Sequence, residues 1–306
     1  MPRTAFLGPE GTFTEQAVRV LVDPDQHELV PVDTIQAVVD AVRTGEADSG
    51  CLPVENSVEG AVPATMDALA VGDPVVAVAE LVLPVRFTVV VRPGTRPDQI
   101  RTVASHPHAL AQVRSWLEAN LPGVTAVAVG STAGAARAVL DGDFDAAVTA
   151  PIVSTRYPLH ELATNVGDNA DAVTRFLLIS KPGLSPAPTG ADRTSLVAVT
   201  ANRTGALADL LVELALREIN LTRLEARPTK DRFGDYRFFL DVEGHIAEHR
   251  IGDALAALHR RCTEVRFLGS YPQADARSTA VMPPTTDQDF SSAIEWVAAI
   301  RRGERA

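Results

Sequence analysis

The sequence predicts an α/β protein in two parts, a two-lobed unit over residues 1–181 and a smaller βαββαβ unit over residues 194–272. Three observations predict it. From residue 4 to about residue 180, short β-forming runs alternate with helical patterns, which points to layered α/β structure with a largely parallel sheet. Inside that stretch "TIQAVVDAVRTGEADSG", starting at Thr34, aligns with "STAGAARAVLDGDFDAA", starting at Ser131, and pairs Gly45 with Gly142 and Asp48 with Asp145 at one constant offset. Third, "PGLSPAPTGADR" (182–193) holds three prolines and two glycines in twelve residues, the composition of a linker, so a domain boundary belongs there.

Taken in order, "MPRTAFL" reads as a first strand, and "GPEGTFTE" (Gly8 to Glu15) as a glycine-rich turn into a helix capped by Thr12, a place where backbone N–H groups can hold an anion. Each copy of the repeat has a hydroxyl N-cap, an Ala/Val-rich helix, a glycine stop and an apolar strand. "LPVENSVEG" (Leu52 to Gly60) sets Glu55, Asn56 and Ser57 just after a buried strand, where α/β proteins carry ligand-binding loops. "VLPVRFTVVV" (Val82 to Val91) lies between the copies and "VTRFLLIS" (Val173 to Ser180) follows the second. They read as strands crossing between lobes along the floor of a cleft, with Thr174 and Arg175 where one strand enters it. "ASHPHAL" (Ala104 to Leu110) and "GSTAG" (Gly130 to Gly134) read as helix starts able to serve a carboxylate. Beyond the linker come strand 194–200, helix 206–218, strands 221–228 and 236–242, helix 250–261 and strand 265–269, the ferredoxin-like order. The tail, 273–306, starts with a Pro/Thr/Asp-rich stretch expected to be mobile, and its "FSSAIEWVAAIRR" has the rhythm of a helix.

A formal charge of −11 and a pI near 5.1 argue against a nucleic-acid or anionic-membrane partner, since both demand a basic footprint. The apolar segment 74–91 is broken by Glu80, Pro84 and Arg86, unlike a membrane span. Two cysteines, Cys51 and Cys262, with no CxxC and no His/Cys cluster, predict neither a disulfide framework nor a zinc site. These features suit a cytoplasmic protein.

The joint order of the polar motifs is more specific than any one of them. G-P-E-G-T-F at the N-terminus, P-V-E-N-S, S-H-P, S-T-A and T-R-F, then a linker and a βαββαβ unit, closely resembles prephenate dehydratases that carry a C-terminal ACT domain, over about residues 4–272. The resemblance implies a two-lobed, periplasmic-binding-protein-like catalytic domain and a regulatory ACT domain. It implies conversion of prephenate to phenylpyruvate in L-phenylalanine biosynthesis, with no metal or other cofactor, and a homodimer or homotetramer. Thr174 matches the family's essential threonine and is expected to be catalytic together with Arg175, Thr174 assisting hydroxide departure and Arg175 offering a fork for a carboxylate or an ordering salt bridge, while Phe176 completes the motif as an expected substrate-binding residue. Thr12, Asn56, Ser57, Ser131 and Thr132 match positions that line the substrate cleft, and His106 of S-H-P is a candidate proton relay. Where many relatives have glutamine after S-H-P, this chain has His108. In the second unit "NRTGALADLL" and "INLTRLEARP" resemble the segments that bind L-phenylalanine as effector, giving Gly205, Ala206, Leu207, Asn220, Glu225 and Arg227; the family's E-S-R-P reads Glu225-Ala226-Arg227-Pro228 here. With the first motif beginning at residue 8 and the last unit ending near 272, no chorismate mutase domain is expected on either side, and a single activity is expected. Two rival expectations remain open at this level: an arogenate dehydratase, which accepts an amino group in place of prephenate's keto oxygen, and a non-enzymatic two-lobed amino-acid sensor.

Overall fold

A computed structural model describes residues 1–229, 234–275 and 281–304. The chain forms two compact units, one from Met1–Ala68 and Leu81–Lys181, the other from Leu69–Glu80 and Pro182–Ala306.

The chain begins β1 (Arg3–Leu7), α1 (Phe13–Leu21), β2 (Glu28–Val32), α2 (Ile35–Thr44), β3 (Ser49–Asn56), β4 (Gly60–Ala61), α3 (Pro63–Ala70) and β5 (Val76–Pro84). The second lobe follows with β6 (Thr88–Val91), β7 (Thr102–Ser105), α4 (Pro107–Ala111), α5 (Arg114–Asn120), β8 (Thr125–Ala128), α6 (Thr132–Asp141), β9 (Ala146–Thr149), α7 (Val153–Arg156) and β10 (His160–Thr164), before β11 (Val173–Ser180) returns to the first. One sheet runs β2-β1-β3-β11-β5 and the other β10-β6-β9-β7-β8. Neither is largely parallel. In each lobe three strands are parallel, while the strands that carry the chain between lobes, β11 and β6, run antiparallel to their neighbours β3 and β9. A crossing strand arrives from the far lobe, so it meets the sheet with reversed direction. The apolar run 82–91 is likewise split: it leaves the first sheet at Pro84 and joins the second at Thr88.

The repeat is structural. Thr34 and Ser131 cap α2 and α6 by accepting the N–H of Ala37 and Gly134, and Gly45 and Gly142 end those helices at φ of +86° and +91°, a conformation costly for any residue with a Cβ. Asp48 then accepts the Arg3 N–H at 2.7 Å, and Asp145 the Arg101 N–H at 2.8 Å, each locking the start of a neighbouring strand.

The second unit has the expected βαββαβ order: β12 (Asp192–Val199), α8 (Ala206–Ala215), β13 (Leu221–Pro228), β14 (Tyr236–Glu243), α9 (His249–Arg261) and β15 (Glu264–Pro272). Its antiparallel sheet runs β13-β14-β12-β15, and its core joins Leu196, Leu210, Leu214, Leu240, Ile251 and Leu258. Helix α8 stops short of Glu218, whose φ is +51°. The stretch 69–80, expected with the first unit, belongs here: Arg193 donates to both Glu80 carboxylate oxygens at 2.6 and 2.8 Å, and Arg266 donates to the Gly72 carbonyl at 2.9 Å. The end of the linker is ordered by Asp192, which accepts the N–H groups of Thr189 and Gly190. Of the tail, α10 (Asp287–Arg301) forms behind a Thr286/Asp289 capping box; part of the stretch expected to be mobile, 276–280, lies outside the described residues. Among the described residues no helix is long and apolar enough to cross a membrane.

Candidate active site

A cavity of about 590 Å³ opens between the lobes of the first unit. Lobe one contributes the turn and helix start around Thr12, Asp33, and the Asn56–Pro63 loop. Lobe two contributes residues around His106 and Gln112, and Gly130–Thr132; Val85, Phe87 and Thr174 come from the crossing segments.

Thr174 and Asn56 are opposite one another where β11 pairs with β3, and Asn56 Nδ2 donates to Thr174 Oγ1 at 2.8 Å. The amide cannot turn the other way without loss, because Asn56 Oδ1 accepts the N–H groups of Val58 (2.8 Å) and Glu59 (3.0 Å). With one lone pair of Thr174 Oγ1 occupied by this donor, its own O–H is left to donate, at a residue 9% exposed on the cavity wall.

The walls carry helix N-termini. Thr12 caps α1, accepting the Glu15 N–H at 3.3 Å, and Ser131 caps α6 with Thr132 as its first residue. First-turn N–H groups lack intrahelical acceptors and make such ends favourable for carboxylates. No arginine or lysine is among the residues lining this cavity, whose charged or titratable members are Asp33, Glu59, His106 and His108. His106 Nδ1 accepts the His108 N–H at 3.3 Å, and the two rings meet edge to face at 4.9 Å. Burial and His108 hold the His106 imidazole below its usual pKa, against a smaller opposing pull from Glu59, which favours a neutral ring.

Three expected site residues stand elsewhere. Ser57 is tied to the crossing strand: its hydroxyl accepts the Val173 N–H at 3.0 Å and its N–H donates to the Val173 carbonyl at 2.9 Å. Arg175 is buried at 8% exposure opposite Glu55 in the strand register, and does not line the cavity. Phe176, 1% exposed, is core. The sequence reading, in turn, missed Asp33, Glu59 and Gln112. Gln112 Nε2 donates from lobe two to Glu59 Oε1 of lobe one at 3.4 Å, a link that spans 53 residues of sequence and leaves no local pattern.

It also missed Glu15 as more than a first-turn acid. Burial raises its pKa, but hydrogen bonds from Arg156, the Gly11 N–H and Arg19 outweigh that and hold the carboxyl below its usual value.

In the second unit Gly205 precedes α8 at φ +80°, with Ala206 and Leu207 opening the helix. Asn220 is exposed just before β13, and Glu225 and Arg227 are half-buried on that edge strand.

The fold and site define an α/β protein of two lobes, with helix N-termini facing the cleft between them, that continues into a βαββαβ unit. The model for prephenate dehydratase matches residues 4–183, more than half of the chain, and that for the ACT domain matches residues 194–260. The chain belongs to the prephenate dehydratase family. It is 62% identical to a prephenate dehydratase of Amycolatopsis methanolica over the whole of both chains. Among solved structures it resembles the prephenate dehydratase of Arthrobacter aurescens in complex with L-Phe, with a TM-score of 0.93 and 42% identity over 98% of this chain and 99% of that one. A protein described as a quorum-quenching acylase shares the fold more distantly, with a TM-score of 0.81 and 30% identity over 90% of this chain and all of that one.

Proposed function

We propose that the protein converts prephenate to phenylpyruvate, releasing CO₂ and water, as a cytoplasmic step of L-phenylalanine biosynthesis, and that phenylalanine restrains it through the second unit. The observation that carries the reaction is the Asn56–Thr174 hydrogen bond on the cavity wall. Loss of the ring carboxylate and hydroxide makes the ring aromatic, so the protein must orient the substrate and help hydroxide leave. Thr174, its oxygen already engaged by Asn56, presents its O–H to the departing oxygen and stabilises the charge that develops there. A threonine hydroxyl is a weak acid, so positioned hydrogen bonding is its contribution. The two substrate carboxylates are met by the helix starts at Thr12 and at Ser131–Thr132. Arg175 adds positive potential from behind the wall, and Ser57 holds β11 in register.

The effector's carboxylate is received by the N–H groups at Gly205–Leu207 and its ammonium by Asn220, with Glu225 and Arg227 nearby on β13. This reading draws on the L-Phe complex of the Arthrobacter aurescens relative. Among the described residues β13 is an edge strand, which suits pairing with a second copy and a homodimer or a homotetramer built from two.

The test is to supply the purified protein with prephenate and, separately, with arogenate, and to follow phenylpyruvate and phenylalanine. Phenylpyruvate from prephenate is expected. Turnover of arogenate alone would reassign the substrate, and turnover of neither would return the fold to a sensing role.

A further inference from the structure

Glu15 is 1% exposed and takes no part in the chemistry above. Its carboxylate gathers donors from three pieces of chain: the Gly11 N–H at 2.6 Å, Arg19 Nε one helical turn away at 2.9 Å, and Arg156 Nη2 from α7 of lobe two. Gly11, at φ +88°, packs against lobe two. A Cβ built there would meet Val153 Cγ2 of α7 at 3.1 Å and Ala133 Cβ of α6 at 3.3 Å, closer than ordinary van der Waals contact, so a side chain there would press on both helices of lobe two. The contact adjoins both carboxylate-holding walls. Thr12 is the residue after Gly11, and Ala133 is the residue after Thr132.

We propose that Glu15 and Arg156 form a clasp across the lobes that sets the separation of the Thr12 and Ser131–Thr132 walls, and that they act as a positioning pair for the reaction without touching the substrate. The inference rests on the substrate reading above. A buried ion pair offers little net stability over an apolar pair, because desolvation offsets most of the Coulombic gain. Its distinctive effect is geometric. Three donors converge on one carboxylate, and a shift of lobe two would break the Arg156 arm and uncover the Gly11 N–H, leaving its bond to Glu15 open to water. Arg156 is 28% exposed, so water can replace that arm when the lobes part.

The experiment compares the full-length parent with Arg156→Met, Arg156→Lys and Glu15→Gln, by steady-state turnover of prephenate and by hydrogen exchange at the Gly11 N–H. Arg156→Met is expected to lower kcat/KM by about 10–100-fold, mainly through KM, because misplaced walls weaken substrate capture. Arg156→Lys should recover most of that loss. The Glu15→Gln/Arg156→Met double variant should lose less than the product of the single losses, as coupled residues do, and Gly11 exchange should quicken in each Met or Gln variant. Folded variants with kcat and KM within about twofold of the parent would overturn the proposal. So would equal losses in the Lys and Met variants with Gly11 exchange unchanged. If Arg156→Met does not fold, the Lys and Gln variants carry the same test. A parent inactive on prephenate would sink the substrate reading instead, while the exchange measurement still decides whether the clasp exists.

Discussion

At the scale of single residues, the orientation of one amide governs the site. Asn56 gives its N–H to Thr174 only because two backbone N–H groups hold its oxygen. Thr174→Val keeps the volume and removes the hydroxyl, and kcat is expected to fall by about 10²–10³-fold with the fold intact. Asn56→Asp gives an independent check. A carboxylate at that position would accept the Thr174 O–H and turn it away from the substrate, so a comparable loss is expected, and adding it to Thr174→Val should cost little more. A folded Thr174→Val protein with kcat within a few-fold of the parent would remove Thr174 from the chemistry. Thr174 was legible in the sequence because a hydroxyl opens an otherwise apolar strand. The orientation of Phe176 was not: strand alternation puts it on the Thr174 face, but the register with β3 shifts between Arg175 and Phe176, and the phenyl ring ends in the core. Glu15 was illegible for another reason. It reads as an ordinary acid at a helix start, and its lobe-two partner lies 141 residues away.

At the scale of elements, the sequence carried the repeat well because its signals are local: hydroxyl cap, Ala/Val helix, glycine stop. Strand direction was less accessible, since nothing in residues 173–180 states that the strand arrives from the other lobe. The two glycine stops allow a direct measurement. A Cβ at Gly142 would meet nothing within 4 Å, so Gly142→Ala isolates the conformational cost of φ +91°. Gly45→Ala adds only an approach to the flexible Lys181 Nζ, at 3.0 Å. Each is expected to cost about 1 kcal/mol, a fall of about 2–4 °C in Tm for a unit of this size. Thermal unfolding of both variants checks it; a neutral Gly142→Ala would mean that the helix end relaxes out of the left-handed region.

At the scale of the whole molecule, the proposed effector residues and the cleft lie in different units, so regulation must be a coupling that either unit can lose alone. Removing most of the second unit by truncation after Lys181, which leaves its residues 69–80 in place, is a blunt test. It would strip Glu80 of Arg193 and of the Ala274 N–H, both within hydrogen-bond distance, and leave residues 69–80 without the chain they pack with. The truncated protein should therefore keep measurable turnover but lose stability along with inhibition. Gly205→Val in the full-length chain is the sharper change. Crowding is not how it would act, for a Cβ there meets nothing within 4 Å. A β-branched residue does not tolerate φ near +80°, so the turn that aims the first N–H groups of α8 must rearrange. Phenylalanine titrated against prephenate turnover should inhibit the parent and spare Gly205→Val, with kcat and KM in the absence of phenylalanine unchanged. Equal inhibition of the two would place the effector elsewhere. Loss of basal activity in Gly205→Val would show instead that the second unit supports the cleft even without its ligand.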